Sequence, residues 1–306
     1  MKMSAKDKKV GISIGGLQAK YGDKKALELA KKAGADTVDF STDMSAFDYR
    51  DPKSVFAGSD DEIESYFHDL KRYADSIGLG FSQTHGRITG FRNIPDEDEA
   101  FVKNARLDTI ACKALGAKYC VIHDVTTIFM GRDADPKLMR DLNYDMFSRI
   151  IGFAKENGVI LATETFGDAT GLGCCDFFGN IDEFMAAYER VRDTDGNAPY
   201  ICTCADTGHS NKAMRFGNPT PANVIRRLGN SVKILHLNDN DTLIDQHKIP
   251  MTGTIDWKDV FAALSEVGYD GVYNMELNLR HFGNNFLCET AEFAVKVMRN
   301  MLEMYG

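Results

Sequence analysis

No run of apolar residues in the chain approaches the ~18 needed to cross a bilayer, so no membrane-spanning segment is expected. Seven prolines and 27 glycines in 306 residues are too few for a collagenous or disordered chain. The opening residues, MKMSAKDKKVGISIGG, carry charge but no apolar stretch before a small-residue cleavage site, so no secretory signal is expected. Basic residues are in the minority, 36 Lys and Arg against 45 Asp and Glu, for a formal charge of −9. Nucleic-acid binding leaves a basic footprint, and this balance argues against it. There is no CxxC pair, and the seven cysteines are an odd number. With no export signal, that suits a reducing cytoplasm and free, mostly buried thiols. Cys174–Cys175 and Cys202/Cys204 lie close enough in sequence to take a soft metal, but buried thiols are the expectation.

What is present is an alternation. Short β-rich apolar runs occur at Val10–Ile14, Thr37–Phe40, Gly80–Thr84, Tyr119–Ile122, Val159–Thr163, Tyr200–Cys204, Val232–Leu237 and Gly271–Met275. Between and after them, helical spacing predicts helices over Lys24–Ala33, Asp60–Ile77, Asp96–Leu115, Leu142–Glu156, Ile181–Val191, Pro221–Leu228, Trp257–Val267 and Glu289–Tyr305. Asn157-Gly158 marks one helix end. Eight strand-then-helix units in one chain of this size predict an α/β fold, a (β/α)₈ TIM barrel. A doubly wound nucleotide-binding sheet would want a glycine-rich phosphate turn, and Gly11-x-x-x-Gly15-Gly16 does not supply one. Residues 1–306 are expected to form a single domain, with the barrel over roughly 9–300.

A barrel carries its chemistry at the carboxyl ends of its strands. Those tips hold Asp39, His85, His123, Glu164, Asp206, His236 and Glu276, with His209 three residues after Asp206. Glu164, Asp206, His236 and Glu276 end four consecutive strands. Neighbouring strands lie about 4.8 Å apart, so these side chains can converge on one ion. Three carboxylates and an imidazole suit Mn²⁺, Mg²⁺, Co²⁺ or Zn²⁺ rather than a thiolate-loving ion. The loop after the seventh strand, HLNDNDTLIDQHKIPMTGTIDW, adds Asp245 and His247, which face one side if the loop is extended. They form a candidate second ligand pair, although Asn/Asp-rich sequence also simply turns. His68 and His281 stand apart and are read as ordinary helix or loop residues.

These motifs, taken in order, resemble the xylose isomerase-like barrel superfamily, whose members include sugar isomerases and epimerases, inosose dehydratases and apurinic endonucleases. The resemblance is carried by Gln83-Thr84-His85, Val121-Ile122-His123, Thr163-Glu164-Thr165, Ala205-Asp206-Thr207-Gly208-His209 and Leu235-His236-Leu237-Asn238-Asp239. Asp245-Gln246-His247, Gly253-Thr254-Ile255-Asp256-Trp257 and Gly268-Tyr269-Asp270-Gly271 with Glu276 extend it over essentially the whole barrel. It implies that Glu164, Asp206, His236 and Glu276 hold a divalent metal, Mn²⁺ foremost. Glu164 and Glu276 double as acid and base, and His209 touches substrate or metal. His85, His123, Asp245 and His247 become further substrate-facing residues. The implied activity is isomerisation or epimerisation of a keto-sugar or related polyol through an enediolate, by a cytoplasmic dimer or tetramer acting on a small carbohydrate.

Two features keep alternatives open. Ketohexose 3-epimerases of this superfamily carry an arginine six residues after the strand-seven histidine, and here that residue is Thr242. His85, His123, Asp245 and His247 also match the extra ligands of the trinuclear zinc endonucleases, which raises an abasic-site phosphodiesterase as one alternative. The other is a lyase: a keto-inositol dehydratase, or a subunit that removes the aglycone from a 3-keto C-glycoside. The long loop Gly167–Gly179 bears on it, because Phe177-Phe178 could line an aglycone site, with a lid or dimer contact as the plainer expectation. Of Phe40, Phe129, Phe166 and Phe216, one or two are expected to floor the pocket, and Trp257 to pack in the core.

Overall fold

The computed structural model of the chain describes residues 7–306. Eight strands build the barrel: β1 Val10–Ser13, β2 Thr37–Ser41, β3 Gly80–His85, β4 Tyr119–Ile122, β5 Ile160–Glu164, β6 Ile201–Asp206, β7 Val232–His236 and β8 Tyr273–Met275. All pair in parallel in the order β8-β1-β2-β3-β4-β5-β6-β7. The ring closes through a parallel bridge between Leu237 and Met275, where the Leu237 N–H donates to the Asn274 carbonyl at 2.9 Å. Outside run α1 Asp23–Lys32, α2 Asp60–Ser76, α3 Pro95–Ala114, α4 Pro136–Asn157, α5 Ile181–Arg192, α6 Pro221–Leu228, α7 Trp257–Glu266 and α8 Leu287–Tyr305.

Local sequence explains these helices. α2 starts at a capping box in which Ser59 and Glu62 satisfy each other's backbone N–H groups. It then buries Ile63, Phe67, Leu70 and Ala74, one face of a 3.6-residue period. α4 begins at Pro136, six residues earlier than the periodicity suggests. Asp135 caps it by accepting from the Lys137 N–H at 3.0 Å, and proline suits the first helical position. It ends at Gly158, whose φ of +67° is the left-handed cap that Asn157-Gly158 announces. β8 begins two residues late, because the Tyr269 hydroxyl folds back to donate to the Val272 carbonyl at 2.7 Å. Trp257 is in the core, with its Nε1–H donating to Asp239 at 2.8 Å.

Two apolar layers result. The large one lies between sheet and helices; a small one inside the barrel consists of Val121, Ala162, Cys202, Cys204 and Ile234. Successive strand residues face opposite sides of a sheet, so each inner residue predicts the direction of the one two positions on. Val121 leads to His123, Ala162 to Glu164, Cys204 to Asp206 and Ile234 to His236. The inward face thus turns from apolar plug to polar mouth over one step of the pleat. Gly11 marks how tightly the interior closes at β1. A Cβ there would lie 2.6 Å from Asn274 Oδ1 and 2.9 Å from Thr37 Oγ1, closer than real contacts allow.

Candidate functional site

At the mouth, His236 Nδ1 faces Glu164 Oε2 at 2.9 Å and Glu276 Oε2 at 3.2 Å. Ligand atoms of Glu164, Asp206, His236 and Glu276 all lie within 4.8 Å of one another. Residues behind them fix their orientation. His236 presents Nδ1 because Nε2 is engaged by Asp39 Oδ2 at 3.2 Å and by the Gln83 amide at 2.9 Å. Asp39 in turn accepts from the Ser13 hydroxyl at 2.7 Å. Asp206 caps the short helix Thr207–Ala213 by accepting from the His209 N–H at 2.6 Å, and Asn238 donates to its other oxygen at 2.9 Å.

Further imidazoles surround this group. His123 Nε2 lies 3.2 Å and His85 Nε2 3.7 Å from Glu164 Oε2, while His85 also lies 3.6 Å from Glu276. The His85 ring stacks on His236 at 5.2 Å between centroids. His209 Nδ1 is 3.2 Å from Glu164 Oε1, and its Nε2 meets Asp245 Oδ2 at 3.2 Å. His247 Nε2 reaches the same Asp245 oxygen at 3.1 Å. The loop after β7 brings this pair over the mouth by folding back on itself, with Asp239 and Lys248 exchanging backbone hydrogen bonds at 2.9 and 2.8 Å. His247 has a φ of +45° there, an uncommon conformation for a residue with a side chain.

The electrostatics follow from burial among opposite charges. Burial alone would raise the Glu164 carboxyl, but His236 and His123 outweigh it and hold the group well below the usual range. Glu276 is lowered on the same terms, chiefly by His236 against its burial. Asp206 behaves oppositely: burial, reinforced by Glu164 and Glu276 against the pull of His209, pushes it up to about 6. His247 rises to about 10, the pull of Asp245 and Glu276 overcoming its burial. Glu164 Oε1 and His236 Nδ1 are buried and make no well-aligned hydrogen bond, meeting only the charged groups of the cluster itself. Unpaired buried polar atoms are costly. Here they belong to a group of three carboxylates and one imidazole whose ligand atoms share a common centre, donors that a divalent cation would satisfy. The donor set therefore fits an oxygen-preferring dication. Cys204 Sγ lies near Glu164 and His236, but burial raises its thiol far above the ordinary value, which keeps it neutral and a poor ligand. All seven cysteines are free.

The structure brings His85, His123, Glu164, Asp206, His209, His236, Asp245, His247 and Glu276 to one mouth. Asp39 serves behind His236 rather than in the group itself. Asn238, Asp239 and Asn240 are buried and organise the loop. His68 and His281 stay outside the cluster. Phe177 and Phe178 do not line the mouth as an aglycone site would require. Phe178 is buried in the core and Phe177 packs beneath Arg140 of α4. Asp176 causes this by accepting from the Thr126 hydroxyl at 2.7 Å and the Thr127 N–H at 2.9 Å, which turns the following residues inward. Of the four other phenylalanines, Phe166 sits edge-on to His123 and His209 and Phe129 stands at the rim, whereas Phe40 is core and Phe216 is partly exposed. Gln83 stands in the Gln83-Thr84-His85 motif without a role of its own, and Lys212 stands in no motif. Their signal is spacing: Gln83 precedes His85 by one pleat, and Lys212 follows His209 by three residues on the same helix.

A model of the xylose isomerase-like TIM barrel family matches residues 27–301. The chain belongs to that family. Among curated proteins it is 25% identical over 172 residues to the uncharacterized protein y4fM of Sinorhizobium fredii, covering 56% of this chain and 50% of that one. The chain spans about half the length of the curated relatives it matches. Among solved structures, a D-psicose 3-epimerase with D-tagatose from Clostridium cellulolyticum H10 superposes with a TM-score of 0.71 at 18% identity, over 96% of this chain and 99% of that one. The IolI protein with a bound zinc atom also gives 0.71, at 17% identity over 97% and 99%. At these identities the likeness is one of fold. No helix among the described residues is long and apolar enough to cross a membrane.

Proposed function

We propose that the protein is a divalent-metal-dependent sugar isomerase or epimerase that moves a proton next to the carbonyl of a keto-sugar or related polyol. The observation that carries this reading is that Glu164 and Glu276 both approach His236 Nδ1, at 2.9 and 3.2 Å, with Asp206 in the same group. Likeness of fold to a D-psicose 3-epimerase supports it. Glu164, Asp206, His236 and Glu276 would hold the ion, Mn²⁺ by the oxygen-rich donor set. When bound, the ion supplies electrophilic polarisation of a carbonyl, which acidifies the neighbouring C–H.

The chain's own residues do the rest. The cleft above the cluster is about 360 Å³ and is lined by Ser13, Asp39, His85, His123, Glu164, His209, Asp245, His247 and Glu276 among others. Glu276 keeps 22% of its side chain exposed to that cleft and Glu164 none, so Glu276 is the readier group to meet a substrate hydrogen. Glu164 returns or removes the proton from the opposite side, its carboxylate kept ionised by His236 and His123. His209, steadied by Asp245 and the Thr165 carbonyl, presents its ring to a substrate hydroxyl. Incubation with keto-sugars and keto-inositols in deuterated water tests the reading. Label entering the carbon beside a carbonyl is expected, and a panel that takes up none would overturn it.

Two expectations concern how the metal is held. Asp39→Asn keeps the shape behind His236 but weakens the acceptor that orients its Nε2–H. Metal affinity is expected to fall about 10–100-fold, as for other carboxylates that support a metal-bound imidazole. Titration of metal-stripped protein by calorimetry checks this, and an unchanged Kd would deny Asp39 that role. Metal loading should also depend on pH. Asp206 takes a proton as the pH drops through about 6, and an incoming ion must displace it. Metal content after dialysis is therefore expected to be high at pH 7.5 and low at pH 5; equal contents would refute the assignment of Asp206.

A further inference from the structure

Lys212 is the only buried lysine among the described residues, with 2% of its surface exposed. It stands on the short helix Thr207–Ala213, three residues beyond His209, and the loop after β5 presses on it there. A Cβ at Gly167 would lie 2.9 Å from the His209 carbonyl oxygen and 3.3 Å from Lys212 Cβ. Burying an ammonium is costly unless it is paired and hydrogen-bonded. Its close partner is Asp168 Oδ1 at 2.6 Å, and that contact is an ion pair without hydrogen-bond alignment. Arg215 already donates to the other oxygen of Asp168 at 3.0 Å, so Asp168 does not need Lys212 for its neutralisation. On its other side, Lys212 Nζ lies 3.9 Å from Asp245 Oδ1. Asp245 uses Oδ2 for His209 and His247, at 3.2 and 3.1 Å, and turns Oδ1 toward Lys212. A separation of 3.9 Å is too long for a hydrogen bond. It admits one oxygen atom about 2.9 Å from each group. Lys212 and Asp245 both border a cavity of about 240 Å³ that shares His123, His209 and Asp245 with the cleft over the glutamates, so the gap is reached from that cleft.

We infer that Lys212 and Asp245 form a seat for one substrate hydroxyl, which makes Lys212 a specificity-determining residue. An ammonium only donates hydrogen bonds and a carboxylate only accepts them. A hydroxyl does both, accepting from Lys212 and donating to Asp245. A carboxylate or phosphate placed there would face the charge of Asp245, and an amine would face that of Lys212. The contacts run from Glu164 Oε1 to His209 Nδ1 at 3.2 Å, across the ring to Asp245, and on to Lys212. The seat is thus one imidazole and one carboxylate away from Glu164. The hydroxyl it reads is carried several carbon–carbon bonds from the reacting carbon. The inference rests on the keto-sugar reading above and deepens it: the substrate keeps a free hydroxyl at the end remote from its carbonyl.

The test compares D-fructose and D-tagatose with their 6-deoxy counterparts on the Mn²⁺-loaded protein. Kd is read by calorimetry, and exchange of the sugar C–H groups in deuterated water is followed by NMR on the same samples. The deciding quantity is how the ratio of the two Kd values changes on substitution, since differences between the free sugars cancel in it. Lys212→Met keeps the length of the side chain and removes the charge. It is expected to cut the preference for the 6-hydroxyl by about tenfold or more, the usual effect of losing a hydrogen bond to a charged group. Lys212→Gln retains a donor and should hold part of the preference. Because Arg215 still pairs with Asp168, Lys212→Met is expected to melt no lower than the parent. A lysine with a purely structural role would instead lower the melting midpoint and leave the ratio unmoved. An unmoved ratio in Lys212→Met, or no binding of any of the four sugars, would overturn the inference. Exchange reports on the proton-transfer reading separately. A Lys212-dependent preference without exchange would leave the seat standing and remove the isomerase reading, and exchange with an unmoved ratio would do the reverse.

Discussion

Glu276→Gln is expected to leave the barrel folded and to lower turnover by roughly 10²–10⁴-fold, the usual contribution of a positioned acid or base. The amide keeps the size of the side chain and one oxygen to face His236 Nδ1, which lies 3.2 Å away in the parent. It cannot accept a proton from carbon. Glu164→Gln should lose at least as much, because its Oε2 also meets His123 at 3.2 Å and an amide there disturbs two imidazoles together. The two variants separate the glutamates' roles. If Glu276 takes the first proton, Glu276→Gln loses both turnover and exchange of that hydrogen with solvent. Glu164→Gln then loses turnover but retains exchange on the Glu276 side. Circular dichroism establishes that both variants fold, and full activity in either would contradict the acid–base assignment.

The positions of these residues were legible in the sequence because a barrel strand has only two faces. Once Ala162, Cys204 and Ile234 are taken as inward, Glu164, Asp206 and His236 follow two residues later. The strands themselves were readable as apolar runs, and their observed bounds differ from that reading by at most two residues at either end. Short helices were not: Gly15–Tyr21, Thr127–Met130 and Thr207–Ala213 have seven residues or fewer, too short for a helical period to show. Loop direction was equally hidden. Phe177-Phe178 and Phe129 are all apolar residues in loops beyond strand ends, and composition treats them alike. The difference lies in long-range hydrogen bonds, since Asp176 reaches back to Thr126 and Thr127 and turns one pair into the core. Phe129, on that same short segment, is left beside the cleft. The support behind His236 is also a tertiary fact: Asp39 and Gln83 come from β2 and β3, across the barrel from β7.

Removal of the metal should produce the other large effect, and it can be read without any substrate. Three carboxylates crowd one imidazole, and burial and mutual repulsion already push Asp206 up to about 6. A dication bound there relieves that repulsion only in the folded state, so it stabilises the fold by mass action. At a hundredfold excess over Kd the gain is about 2.7 kcal/mol. Chelation is therefore expected to lower the midpoint of thermal unfolding while leaving the far-ultraviolet spectrum at room temperature unchanged. It should also reduce turnover by at least about a hundredfold, since electrophilic polarisation contributes several kcal/mol to such reactions. Adding back Mn²⁺, Co²⁺, Mg²⁺ or Zn²⁺ separately would restore both properties in an order that identifies the ion the site prefers. The alanine variant of Asp206 supplies the internal control. It removes one ligand together with the acceptor of the His209 N–H and the Asn238 amide, so its melting midpoint should gain little from added ion. Undiminished activity after verified removal of the metal, or identical melting with and without it, would mean that Glu164, Asp206, His236 and Glu276 do not hold an ion together.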